Sequence, residues 1–158
     1  MLDLSFDRYR IVKKLGEGAA SAVYKAHDTK IDRFVALKVL SQEFGDNKSI
    51  RGKILTEAKA LSQLDHPNIG VVYDVDETPD GHIYLVMRYY EGETLENLLI
   101  DGPLAMDKGI DVALQVARAV AAAPKYGIIN RDLKPSNIFV TQNIEVKLLD
   151  SGLAKFQT

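Results

Sequence analysis

Between residues 9 and 88, five runs have strand character, and most of the links between them are short. Parallel strands need a crossover of about a dozen residues or more, whereas antiparallel strands close through tight turns. Residues 9–15 put Tyr9, Ile11 and Leu15 on one parity, the period of a strand. Gly16-Glu17-Gly18-Ala19-Ala20-Ser21 then leads into Ala22-Val23-Tyr24-Lys25-Ala26, a hairpin with a glycine-rich loop. A polar turn at residues 29–32 precedes a third strand at 34–40. Residues 69–75 and 83–88 are two more strands, joined across Thr78-Pro79-Asp80-Gly81. One helix intervenes. Asp46-Asn47 can cap it, it runs through Leu64, and Ile50, Ile54, Ala58 and Leu61 share one stripe. His66-Pro67-Asn68 breaks it. The first 90 residues therefore read as an antiparallel sheet with one helix.

After Tyr89-Tyr90-Glu91-Gly92 the texture changes, and the chain divides into 1–90 and 91–158. Residues 95–100 suit a short helix and Asp101-Gly102-Pro103 a turn. Residues 107–123 form a long Ala-rich helix that is apolar around most of its circumference, with Ile110, Val112, Leu114, Val116 and Val120 among its members. Such a helix expects cover on several sides. Pro124 ends or kinks it. Residues 138–140 and 145–148, joined by Gln142-Asn143, read as a small hairpin. The fold class is α+β.

Composition removes several functions. A net charge of −2 gives no broad basic surface for nucleic acid. The chain has no cysteine, which excludes disulfides, thiolate metal sites and cysteine nucleophiles. Its three histidines lack zinc spacing. The N-terminus does not read as a signal peptide and no run approaches the roughly 18 apolar residues of a membrane span. The expectation is a soluble, cytoplasmic protein.

Chemistry concentrates in a few places. Asn130-Arg131-Asp132-Leu133-Lys134-Pro135-Ser136-Asn137 lies between two apolar runs. Its carboxylate, cation and carboxamide match the parts that phosphoryl transfer requires, although Asp, Pro, Ser and Asn also make ordinary turns. The small residues of 16–21 let a backbone approach a ligand, with amides free for phosphate oxygens; taken alone they read first as a flexible hairpin tip. Lys38 sits in an apolar strand and Glu57 on the following helix. They are either an ion pair turned toward phosphate or a snorkelling lysine and a solvated acid. Asp150 follows a strand-like run and precedes Ser151-Gly152, as a metal carboxylate or a turn residue.

Taken in order, glycine loop, strand Lys, helix Glu, Asp-x-Lys-x-x-Asn and Asp-x-Gly resemble the protein-kinase signature set. Val35-Ala36-Leu37-Lys38 and Leu64-Asp65-His66-Pro67-Asn68-Ile69 match further segments, and nearly the whole chain is covered. Asp-Leu-Lys-Pro-x-Asn is similar to the serine/threonine type, and the wording around residues 24–28 and 91–95 to bacterial members. The resemblance implies a protein-kinase-like fold: a five-stranded N-lobe sheet with one regulatory helix, and a mainly helical C-lobe with a small hairpin. It also implies roles. Lys38 pairs with Glu57 and touches the phosphates of ATP. Asp132 orients the acceptor hydroxyl and Lys134 lies by the γ-phosphate. Asn137 and Asp150 bind magnesium. The amides of Gly16, Glu17, Gly18, Ala19, Ala20 and Ser21 cover the phosphates. Val23, Ala36, Met87 and Phe139 enclose adenine, and backbone groups of Arg88, Tyr89 and Tyr90 bond its edge.

The pattern departs from the family at Ser21 for the third glycine, Asn130 for a histidine, Ser151 for a phenylalanine, Arg88 for an acid and Pro124 for a histidine. Leu61 and Val72 would remain of an apolar stack that Asn130 and Ser151 no longer complete. No activation segment or Ala-Pro-Glu follows Lys155. The expectation is a truncated, engineered kinase core that binds ATP and Mg2+ with weak or no peptide phosphorylation. It would self-associate through Ile110, Leu114, Val116 or Val120, or swap segments. Alternatives are an active serine/threonine kinase completed by oligomerisation or missing residues, and a non-enzymatic interaction module.

Overall fold

The computed structural model describes residues 5–6, 8–18, 21–41, 48–126 and 133–149. They form two compact units. One comprises the described residues up to Ser62 together with Val72–Tyr89; the other comprises Gln63–Val71 and the described residues of Tyr90–Lys155.

The first unit is an antiparallel sheet of six strands: β1 (Ser5–Phe6), β2 (Tyr9–Gly18), β3 (Ser21–Asp28), β4 (Arg33–Leu40), β5 (Val72–Glu77) and β6 (Ile83–Arg88). Their order is β1-β2-β3-β4-β6-β5. The five strands read from sequence are present, and two-residue β1 joins the edge. Helix α1 (Lys48–Ser62) is the predicted helix, shorter at its C-terminal end; the proposed cap, Asp46-Asn47, lies outside the described residues. The strand expected from residue 69 begins instead at Val72. Ile69 makes a parallel bridge to Leu148, so its backbone belongs to the other unit.

Strand alternation divides the sheet into two faces. Tyr9, Ala26, Val35, Leu37, Tyr84 and Val86 form a buried cluster on one. The rings of Tyr9 and Tyr84 meet edge to face with centroids 6.2 Å apart. Their strands are separated by two others, about 14 Å in a flat sheet at the usual spacing, so the sheet must curl. On the other face, Val23 pairs with Lys38 and Lys38 with Leu85, while Lys25 pairs with Ala36 and Ala36 with Met87.

Helix α1 buries Ile54, Ala58 and Leu61 and packs against β5. The Arg51 guanidinium makes two hydrogen bonds to Glu77, one from Nη1 at 3.2 Å and one from Nη2. Glu77 is the register partner of Ile83, which shares parity with Leu85 and Met87. Helix α1 therefore lies over the Lys38 face.

The second unit contains β7 (Gly92–Thr94), α2 (Leu95–Leu98), α3 (Met106–Ala122), β8 (Ile138–Thr141) and β9 (Val146–Leu148). The expected hairpin is β8-β9, and β7 extends it to a three-stranded sheet in the order β7-β8-β9. Gly92 has φ +150, and a Cβ there would stand 2.2 Å from the Val140 carbonyl oxygen; β7 can join β8 only because this residue is glycine. Thr94 caps α2 through its hydroxyl, which accepts from the Asn97 amide at 3.2 Å. Pro124 falls in a 3-10 turn, Ala123–Tyr126, that ends α3. Only Val112 and Ala119 of α3 are buried. No helix among the described residues is long and apolar enough to cross a membrane.

Candidate functional site

In the first unit the sheet gathers most of the sequence-derived candidates on one face. The β2–β3 ladder pairs Gly16 with Val23 and Gly18 with Ser21. With the pairs already given, Gly16, Gly18, Ser21, Val23, Ala36, Lys38 and Met87 share a face, and Glu17, paired with Ala22, takes the opposite one. Neither loop glycine is demanded by its surroundings. A Cβ on Gly16 would meet nothing within 4 Å, and one on Gly18 only the Ser21 carbonyl oxygen at 3.9 Å; neither has a positive φ. Open space over two glycines is what a ligand approaching the backbone needs. Ala19 and Ala20 lie outside the described residues.

Lys38 and Glu57 are each half-buried. Glu57 belongs to the inward stripe of α1, three residues from Ile54 and four from Leu61, so it is turned toward the sheet rather than away from it. Leu85 occupies the same face as Lys38 and Met87. Sequence reasoning passed over it, although its parity with Met87 was the available signal.

Arg88 is exposed at the end of β6. Tyr89 is half-buried, and the Lys25 ammonium lies 4.3 Å from its ring centroid and 4.3 Å from that of Phe34. The boundary between the units falls between Tyr89 and Tyr90.

The second unit holds the remaining candidates. The Tyr90 hydroxyl accepts from the Val71 amide at 3.2 Å, and its ring centroid is 6.5 Å from that of Phe139. Phe139 is half-buried in β8, opposite Thr94 and Lys147. Lys134 is exposed and precedes the 3-10 turn Pro135–Asn137. The Asn137 amide donates to the Lys134 carbonyl at 2.9 Å, which keeps cation and carboxamide within one turn. The Asn137 carbonyl in turn accepts from the Leu149 amide at 2.8 Å. Asp132 and Asp150 lie outside the described residues, but Asp150 is bonded directly to Leu149. The two metal candidates are thus tied by one hydrogen bond and one covalent step.

This donor chemistry fits magnesium. The ion takes hard oxygen ligands, binds through one or two carboxylates, and keeps several waters and phosphate oxygens. A carboxamide and one carboxylate suffice for that, whereas zinc would ask for more nitrogen or sulfur. Among the described residues no cluster of three or more His, Cys, Asp or Glu side chains offers a protein-only cage.

Comparison with known proteins bears on the family and the fold. The protein kinase domain family matches residues 9–158. A probable serine/threonine-protein kinase of Clostridium perfringens is 43% identical over 150 residues, covering 94% of this chain and 22% of that protein. The serine/threonine-protein kinase PrkC of Bacillus subtilis is 37% identical over 148 residues, covering 93% of this chain and 23% of its own length. The crystal structure of the Mycobacterium tuberculosis PknI kinase domain superposes with a TM-score of 0.86 at 27% identity, over 98% of this chain and 62% of that one. The chain thus spans under a quarter of these two curated relatives and under two thirds of a solved kinase domain.

Proposed function

Because this chain belongs to the protein kinase family, we propose that it is the ATP- and magnesium-binding core of a bacterial serine/threonine kinase, weak or inactive toward peptides by itself. The observation that carries the reading is the common face of Gly16, Gly18, Val23, Ala36, Lys38 and Met87, with α1 and Glu57 over the same side. Small and apolar residues at one end of that face suit a flat base. A half-buried cation and an open glycine ladder at the other suit phosphate.

In this reading Glu57 holds the Lys38 ammonium toward the α- and β-phosphates. The amides of residues 16–21 close over them. Val23, Ala36, Met87 and Phe139 enclose adenine, while backbone groups at Arg88, Tyr89 and Tyr90 bond its edge. Asp132 orients the acceptor hydroxyl, and Lys134 offsets charge on the transferred group. Asn137 and Asp150 would hold magnesium, which would supply neutralisation of phosphate charge when bound. Acceptor proteins carrying Ser or Thr follow from the similarity to serine/threonine kinases.

The proposal is tested by melting with and without Mg-ATP, since a ligand that binds only the folded state must raise the melting temperature. A rise of several degrees is expected, reduced by Lys38→Ala. An unchanged melting temperature overturns nucleotide binding. Phosphate transfer to a generic basic protein, with Asp132→Asn as control, then measures what activity the chain has alone.

The apolar exposure of α3 adds self-association to the proposal. Met106, Ile110 and Leu114 are 81%, 55% and 52% exposed, and they suit a second copy of the chain. Sedimentation as a monomer at high concentration would remove this part without touching nucleotide binding.

A further inference from the structure

Strand β9 is the last in its three-stranded sheet, yet its outer edge is closed. Residues 146 and 148 turn their backbone groups outward, and each group has a partner. The Leu148 amide donates to the Asn68 carbonyl at 2.8 Å, and the Leu148 carbonyl accepts from the Gly70 amide at 2.9 Å. At Val146, wholly buried, the partners are side chains. Its amide donates to Gln115 Oε1 at 2.8 Å and its carbonyl accepts from Asn68 Nδ2 at 3.1 Å. Asn68 Nδ2 also donates to Gln115 Oε1 at 2.9 Å. Two side-chain amides, one from the 66–70 segment and one from α3, thus stand in for one residue of a missing strand.

Little freedom is left in this arrangement. Gln115 Nε2 donates to Asp111 Oδ2 at 3.0 Å and to the Ile144 carbonyl at 2.9 Å, so both ends of the side chain are fixed. The Asn68 amide donates to His66 Nδ1 at 3.0 Å, which fixes Asn68 from behind. Lys147 Nζ reaches the Pro67 carbonyl at 2.6 Å. On the inner edge β9 is registered against β8 by Val140↔Val146, Phe139↔Lys147 and Ile138↔Leu148. A strand held on both edges cannot slip by one residue without reversing every side chain.

We propose that Asn68 and Gln115 are positioning residues for the magnesium candidate Asn137: by fixing the register of β9 they fix Leu149, whose amide holds the Asn137 carbonyl. This inference rests on the nucleotide-binding reading above. Neither residue touches nucleotide or metal in it. Groups that orient metal ligands from behind commonly govern affinity nearly as strongly as the ligands themselves.

The test measures affinity for ADP with magnesium and with chelator, on the whole chain. Gln115→Met keeps length and removes both amide functions. It is expected to weaken the magnesium-dependent part of binding by roughly 10–100-fold, to leave affinity in chelator unchanged, and to speed hydrogen exchange at the Val146 and Leu148 amides. Gln115→Glu retains an acceptor for the Val146 amide and is expected to recover part of the loss. Asp111→Ala, at an exposed position, loosens Gln115 with little risk to folding and is expected to give a smaller loss in the same direction; it carries the test if Gln115→Met does not fold. Wild-type magnesium dependence in these variants overturns the inference, as does equal weakening with and without magnesium. A wild-type chain whose affinity ignores magnesium overturns the functional reading itself.

Discussion

Helices α1 and α3 both carry more apolar surface than one exposed helix needs, but the fold treats them differently. In α1 the stripe is covered: Ile54, Ala58 and Leu61 are buried, and Arg51 ties the helix to Glu77 of β5. In α3 just Val112 and Ala119 are buried, while Met106, Ile110 and Leu114 face outward. An open apolar groove of ≈ 740 Å³ runs beside it, with Leu99, Leu104, Val116 and Leu133 among its walls. Contiguous apolar exposure of this kind marks an interface or an aggregation risk. The first unit covers its helix stripe against the sheet; the second leaves a helix face open and closes the edge of β9 by polar bonds instead.

The comparison is broken most severely by truncating one residue from each helix. Ile54→Ala should destabilise by about 2–5 kcal/mol, the usual cost of a large-to-small change in a packed core. Ile110→Ala should stay within about 0.5 kcal/mol, as for other surface changes. Denaturant unfolding of both variants measures the contrast. A large cost at Ile110 would mean that α3 is covered in solution.

A second contrast sets Gly92 against Gly16. Gly92→Ala forces a side chain into the β8 backbone at φ +150, and about 1–3 kcal/mol of stability should be lost from backbone strain alone. Gly16→Ala meets open space and should leave the melting temperature nearly unchanged while, on the proposed reading, weakening ATP binding. Thermal melts with and without nucleotide separate the two effects.

Arg51→Ala removes the pair that fastens α1 to β5. Both side chains are partly exposed, so the loss should be about 0.2–1 kcal/mol, measurable as a fall in melting temperature that high salt diminishes.

The smallest effect concerns Asp80 in the β5–β6 turn. A hydrogen bond from Thr78, with His82 alongside, holds its carboxyl below the ordinary value. A depressed carboxyl pKa favours the folded state above the unfolded value near 3.8 and ceases to do so as pH falls through the folded one. Asp80→Asn should therefore flatten the acid limb of the stability curve slightly, by lowering stability a little at neutral pH and leaving it unchanged below the folded value.

Much of this was legible in the chain. Alternating runs located β2, β3, β4 and β6, and the stripe of α1 came from Ile54, Ala58 and Leu61, because period 2 and period 3.6 are local properties. Parity also brought Val23, Ala36 and Lys38 to one face once the strands were paired. Strand β7 was not legible, since Gly92-Glu93-Thr94 has no apolar alternation and pairs only because Gly92 admits the β8 backbone. Ile69 looked like the start of a strand, yet its bridge is to a residue far along the chain. Gln115 carried no signal at all, because its partners at Ile144 and Val146 are chosen by tertiary contact.

The sequence by itself determined most of the elements and the residue types proposed to handle phosphate and metal, since spacing and side-chain chemistry are written residue by residue. The tertiary structure alone decided which strands neighbour one another, which side of the sheet α1 covers, and which amides close the edge of β9. Those choices depend on surfaces and hydrogen-bonding groups that meet only when distant segments pack, and no local period encodes such a meeting.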